Sequence, residues 1–126
     1  MRADDTHWIL TNTGWAKGAS GLLYPHFLAG CSLVLYDGEG FELDTHLQII
    51  KDFRISTFCA PPTINRLAAR TDLSGAEFTS LRHCFGTVEP LNPEAMRVWK
   101  QATSCDVYDD YGQTETINII ANFPGI

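Results

Sequence analysis

LRHCFGTVEPLNPEAMRVWKQATSCDVYDDYGQTET, Leu81 to Thr116, is the stretch whose reading decides the fold. It opens on a short apolar run, Leu81 to Phe85, suited to a strand. A polar loop follows, Gly86-Thr87-Val88-Glu89-Pro90. Asn92-Pro93-Glu94 then starts a helix: Asn at the cap, proline in the first turn, an acid near the positive helix end. Ala95, Val98, Trp99 and Ala102 recur at helical spacing and make its buried stripe. Asp106-Val107-Tyr108 begins the next strand. Strand, helix, strand in this order predicts parallel strands joined by a crossover helix.

The alternation continues upstream. Leu33 to Tyr36 is a strand candidate, and Leu43, Leu47, Ile50 and Phe53 follow at helical spacing. Ile55 to Cys59 reads as the next strand, and Pro61-Pro62 opens a helix whose apolar face holds Ile64, Leu67 and Ala68. Asp72-Leu73-Ser74-Gly75 reads as a turn. Ala16 to Leu28 reads as a helix with Leu22, Leu23 and Phe27 inward, kinked or shortened by Pro25. Ile117 to Ala121 is a further strand candidate. The expected fold is α/β, a mostly parallel sheet with flanking helices. The first residues read as an Asp-rich loop, and neither end has the look of a domain boundary.

Composition narrows the function. The 126 residues suit one domain or a piece of one. A hydrophobic content of 44% with 19% charged residues is that of a folded chain rather than a disordered one. A net charge of -6 argues against general nucleic-acid binding. Cys31, Cys59, Cys84 and Cys105 form no CxxC pair and stand in apolar runs, which reads as buried free thiols and a reducing compartment. His7, His26, His46 and His83 show no ligand spacing. No apolar run approaches the ~20 residues of a membrane span. The N-terminus is not a secretory signal, so the chain reads as not secreted.

In open parallel sheets, ligands gather beyond the C-terminal strand ends. The loops there are Ala60 to Thr63, Gly86 to Pro90, and Tyr111 to Glu115. A tyrosine ring can stack a base, Gly112 permits close backbone approach, Thr114 can donate to phosphate, and Glu115 is a hard oxygen ligand for Mg²⁺. A nucleotide with its metal uses all four. The other reading of these residues is a polar turn with a solvated acid. Thr11 to Gly18, TNTGWAKG, does not fit a phosphate-binding P-loop.

Tyr111-Gly112-Gln113-Thr114-Glu115-Thr116 resembles the Y-G-x-T-E motif of the adenylate-forming superfamily, and in particular its medium-chain acyl-CoA synthetases (AMP-forming). Four further stretches match in order: Thr13 to Lys17, Thr57 to Thr63, Leu81 to Cys84, and Glu89 to Glu94. The resemblance implies a two-step reaction. A carboxylic acid attacks the α-phosphate of ATP to give an acyl-adenylate and diphosphate, and CoA then displaces AMP. It implies that Asp109, Asp110, Tyr111, Gly112, Gln113 and Thr114 line the nucleotide site with Glu89 and Pro90. Tyr111 would lie against adenine, Thr114 would touch the α-phosphate and the substrate carboxylate, and Glu115 would help bind Mg²⁺. Thr114 and Glu115 are thus the implied catalytic pair, and Trp15 would sit by the acyl pocket. A mitochondrial matrix or bacterial cytoplasmic location is implied.

Three positions depart from the family pattern. Val88 stands where the family usually has Gly, Asp110 where it has a small residue, and Asn12 where it has Asp. A side chain at Val88 would obstruct the backbone beside adenine, and Asp110 adds negative charge near a triphosphate. The family's phosphate loop and C-terminal domain have no counterpart here. The implied organisation is a middle piece of an N-terminal domain over residues 1–126. A catalytically inactive remnant or a nucleotide-binding module is the alternative function.

Overall fold

The computed structural model describes residues 1–68, 70–71, 73, 78–123 and 125. The chain runs β1 (Thr6–Ile9), a π-helical segment (Gly18–Leu23) continuing as α1 (Tyr24–Ala29), β2 (Ser32–Leu33), α2 (Leu43–Asp52), β3 (Thr57–Ala60), α3 (Pro62–Ala68), β4 (His83–Gly86), α4 (Pro93–Thr103), β5 (Val107–Gln113) and β6 (Ile117–Ala121). The strand order is β2-β1-β3-β4-β5-β6. Every neighbouring pair is parallel except β5 and β6, which are antiparallel. The mostly parallel α/β expectation holds.

Residues in register across the strands explain how the sheet is covered. Trp8, Phe58, Cys84 and Val107 pair in one row and belong to the main core with Ile50, Ile55 and Trp99. The Phe58 and Trp99 rings stack with centroids 6.0 Å apart, which locks α4 onto β3. The next row, Ile9, Cys59 and Phe85, points the other way and packs against Leu22 of the π-helical segment. Helices therefore cover both faces, as parallel sheets require. All four cysteines are buried and free.

Local chemistry sets the element ends. Asn92 Oδ1 accepts the Glu94 N–H at 2.8 Å and Pro93 fills the first turn of α4. Ala95 and Trp99 are buried as expected, joined by Thr103 rather than Val98. At the N-terminal strand ends, Asp5 accepts from Ser56 Oγ at 2.8 Å, from the Arg2 N–H at 2.7 Å and from Arg82 at 2.5 Å, tying β1, β3 and β4 together.

Four readings need correction. Thr6–Ile9 is an interior strand, not loop: it is four residues long and buried on both faces, so it shows no alternation. The strand expected at Leu33 to Tyr36 is only Ser32–Leu33, at the sheet edge. Phe27, Phe53 and Leu67, all expected inward, are exposed at 73%, 58% and 40%: each sits in the last turn of its helix or at its C-cap. Tyr111 to Gln113 is not a loop, since β5 runs through Gln113. Asp72, Ser74 and Gly75 of the expected turn lie outside the described residues.

Candidate functional site

The site forms where β4 and β5 end. Leaving β4, the chain passes Thr87, Val88, Glu89 and Pro90 before entering α4. Glu89 is fixed by Arg66 Nη2 at 2.8 Å and Thr63 Oγ1 at 3.0 Å, both on α3. The Arg66 hydrogen bond, with that of Thr63, holds its carboxyl below the usual glutamate range. The carboxylate is thus turned to α3. Val88 adopts φ 86°, a left-handed conformation costly for a β-branched residue.

Opposite this loop, β5 changes partner. Val107 to Asp109 pair with β4, and Asp110 to Gln113 pair with β6. A bulge falls between Tyr111 and Gly112. A Cβ at Gly112 would lie 1.6 Å from the Ile117 carbonyl oxygen, so only glycine fits. The turn beyond is closed by Thr116, whose N–H bonds Gln113 O at 3.1 Å and whose Oγ1 accepts the Gln113 N–H at 3.2 Å. This projects Thr114 and Glu115 at its tip.

These pieces enclose two adjoining clefts. One, of about 340 Å³, is lined by Val88, Glu89, Pro90, Asp109, Asp110, Tyr111 and Gly112. The other, of about 500 Å³, brings Gln113 and Thr114 to Lys17, Ser20 and Thr87. Val88 and Gly112 border both. The structure thus gathers Glu89, Pro90 and Asp109 to Thr114, residues that are far apart in sequence. Glu115 is exposed, and no ion pair holds it among the described residues. Trp15 projects to solvent at 63% exposure, and Ala16 and Lys17 line the cleft instead.

Lys17 and the π-helical segment were not assigned a role from sequence, although Pro25 is the signal for the latter. Without an N–H, Pro25 cannot bond the Gly21 carbonyl. Tyr24 N–H reaches back to Ala19 O, and His7 Nε2 takes the Gly21 carbonyl at 3.0 Å. A carbonyl only accepts, so Nε2 carries the proton, and Nδ1 accepts from the Thr57 hydroxyl at 2.7 Å. Burial pushes the His7 pKa down and favours this neutral tautomer. One buried histidine thereby anchors the helix that carries Lys17 to the middle of the sheet.

Comparison with known proteins adds a family. Residues 1–125 match the family model described as AMP-binding enzyme. The mouse mitochondrial acyl-coenzyme A synthetase ACSM3 is 39% identical over 98% of this chain and 21% of its own length. The 4-hydroxybutyrate–CoA ligase 1 of Metallosphaera sedula is also 39% identical, over 98% of the chain and 22% of its own length. An anthranilate CoA ligase solved in complex with anthranoyl-AMP superposes with a TM-score of 0.91 at 31% identity, covering 99% of this chain and 25% of that one. The chain spans about a fifth of the length of the curated relatives it matches.

Proposed function

Because the chain belongs to the AMP-binding enzyme family, we propose that it supplies the nucleotide corner of an AMP-forming acyl-CoA ligase. The reaction is carboxylic acid plus ATP and CoA to acyl-CoA, AMP and diphosphate, through an acyl-adenylate. Its relatives include acyl-CoA synthetases and a hydroxyacid–CoA ligase. The observation that carries the reading is the cleft between the Val88 to Pro90 loop and the Asp109 to Gly112 strand. Two backbone segments that border one cleft, with the Tyr111 ring on its wall, suit a flat base such as adenine.

In this reading Tyr111 lies against one face of adenine and the Glu89-Pro90 backbone along the other. Asp109, Asp110, Gly112 and Gln113 complete the wall. Thr114 donates to the α-phosphate and orients the attacking carboxylate, and most of the rate gain comes from this positioning. Glu115 fits a Mg²⁺ ion: its carboxylate is exposed and outside any ion pair among the described residues, and Mg²⁺ commonly takes one carboxylate beside substrate phosphates and water. The metal would neutralise charge on those phosphates. The acid is a medium-chain one, and the residence is the mitochondrial matrix or, in a bacterium, the cytoplasm.

A second reading is favoured by the Val88 backbone: the corner binds nucleotide weakly and the 126-residue chain alone has no turnover. Isothermal titration with MgATP separates the two. Saturable binding lost in Glu115→Ala supports the nucleotide corner. A folded chain, checked by circular dichroism, that binds no MgATP rules against it.

A further inference from the structure

Behind the cleft that holds Thr114 lies a smaller cavity of about 220 Å³. It sits between the π-helical segment and the sheet, walled by the apolar Ile9, Pro25 and Phe85. Lys17, Ser20 and Thr87 line both spaces, so the inner cavity extends the outer one. A chain whose carboxylate rests at Thr114 would run its tail inward here.

The inner cavity is not purely apolar. The Lys17 ammonium nitrogen and Asp110 Oδ1 are both shielded from water, and neither meets an oxygen or nitrogen partner among the described residues; Lys17 has only the weakly accepting Cys59 thiol beside it. They do not form an ion pair with each other there. Both nevertheless bear on one wall residue. Burial pushes the Cys59 thiol up to about 11, with the Lys17 charge opposing the rise and Asp110 adding to it. Asp110 Oδ2 is already satisfied by Asn118 Nδ2 at 2.7 Å, so one oxygen is left over. A shielded charge without a partner is costly, and a ligand that supplies the partner recovers that cost.

The chemistry of the two groups restricts the ligand. An ammonium only donates and a carboxylate only accepts. An alkyl tail satisfies neither. A second carboxylate on the substrate would suit Lys17 and be repelled by Asp110, and an amine would do the reverse. A hydroxyl accepts from Lys17 and donates to Asp110 at once. We infer that the acid activated at this site carries a hydroxyl on its acyl chain, held between Lys17 and Asp110. The inference rests on the proposed placement of the substrate carboxylate at Thr114. Asp110, which borders the nucleotide cleft as well as the inner cavity, then acts also as a specificity residue for the acid.

The test is a two-dimensional amide NMR titration of the 126-residue chain with ω-hydroxyhexanoate and with hexanoate. The hydroxy acid should bind at least about tenfold tighter, since a site built to bond a hydroxyl rejects analogues lacking it. Shifts should centre on Lys17, Ser20 and Thr87. The preference should fall towards one in Lys17→Met and in Asp110→Ala, with each variant's amide dispersion showing that it is folded. Equal or tighter binding of hexanoate overturns the inference, as does a preference that survives both substitutions, or no binding of either acid. Adding MgATP to the same sample tests the parent reading apart: a response at Tyr111 and Glu89 without acid discrimination removes the hydroxyl site alone.

Discussion

Val88 carries two separate penalties at one position. Its φ of 86° strains a β-branched backbone, and its side chain borders both clefts. Val88→Gly should relieve strain of order 1–3 kcal/mol, less the extra entropy glycine loses on folding, for a net gain of about 1 kcal/mol in urea unfolding. It should also tighten MgATP binding, by opening the path to the loop backbone. An unchanged unfolding midpoint would show that the loop relaxes around valine at no cost. At this scale the residue types single out Tyr111, Gly112, Thr114 and Glu115, and the structure brings the first three to the two clefts and leaves Glu115 at the turn tip, where their uses are those proposed above. Lys17 was not legible in the sequence, because its position on a helix says nothing of whether its ammonium faces water. The strain at Val88 was visible only as a departure from a pattern.

The elements explain why these side chains converge. Gly112 marks the point where β5 bulges and the Ile117 carbonyl closes in. Gly112→Ala should cost about 1–3 kcal/mol through overpacking. The loss should appear as missing NMR cross-strand contacts between Gly112 and Asn118 and as weaker MgATP binding. The π-helical segment depends on His7 in the same way. His7→Met fills similar space but leaves the Gly21 carbonyl and Thr57 hydroxyl unbonded, at about 1–3 kcal/mol. Elements with strong local signals were readable: α4 has its cap, its proline and its stripe. Those that depend on distant partners were not. β1 is too short and too evenly buried to show a period. The length of β5 is set by β6, which pairs with it only after the turn at Thr114 to Thr116.

For the whole molecule, acid should act in two stages. Burial lowers the pKa of His7 and, with help from the Arg82 charge, that of His83, both from 6.5. The unfolded chain therefore takes up these protons first, and stability falls as pH drops below about 6.5. Asp5 follows. Burial alone would raise its pKa, but bonds from Arg82, Ser56 and the Arg2 N–H bring it down from 3.8 to about 2. Its contribution of about 2 kcal/mol is complete above the unfolded value and is lost as pH falls through the native one. Chemical denaturation across pH should show both stages, and Asp5→Asn should shrink only the lower, to which Glu89 and Glu94 also contribute. The parallel architecture that Asp5 ties together was legible from the order of elements. The change of partner along β5 was not, and it carries a mechanical consequence. Beyond Asp109 the strand leaves the sheet and hangs as a two-stranded cantilever, a structure marginally stable by itself. Amides of Tyr111 to Ala121 should exchange with deuterium far faster than those of Phe58 or Cys84. A nucleotide wedged between Tyr111 and Pro90 would rivet the cantilever to its base, and occupancy would register as slowed exchange at Ile119 and Ile120, which line neither cleft.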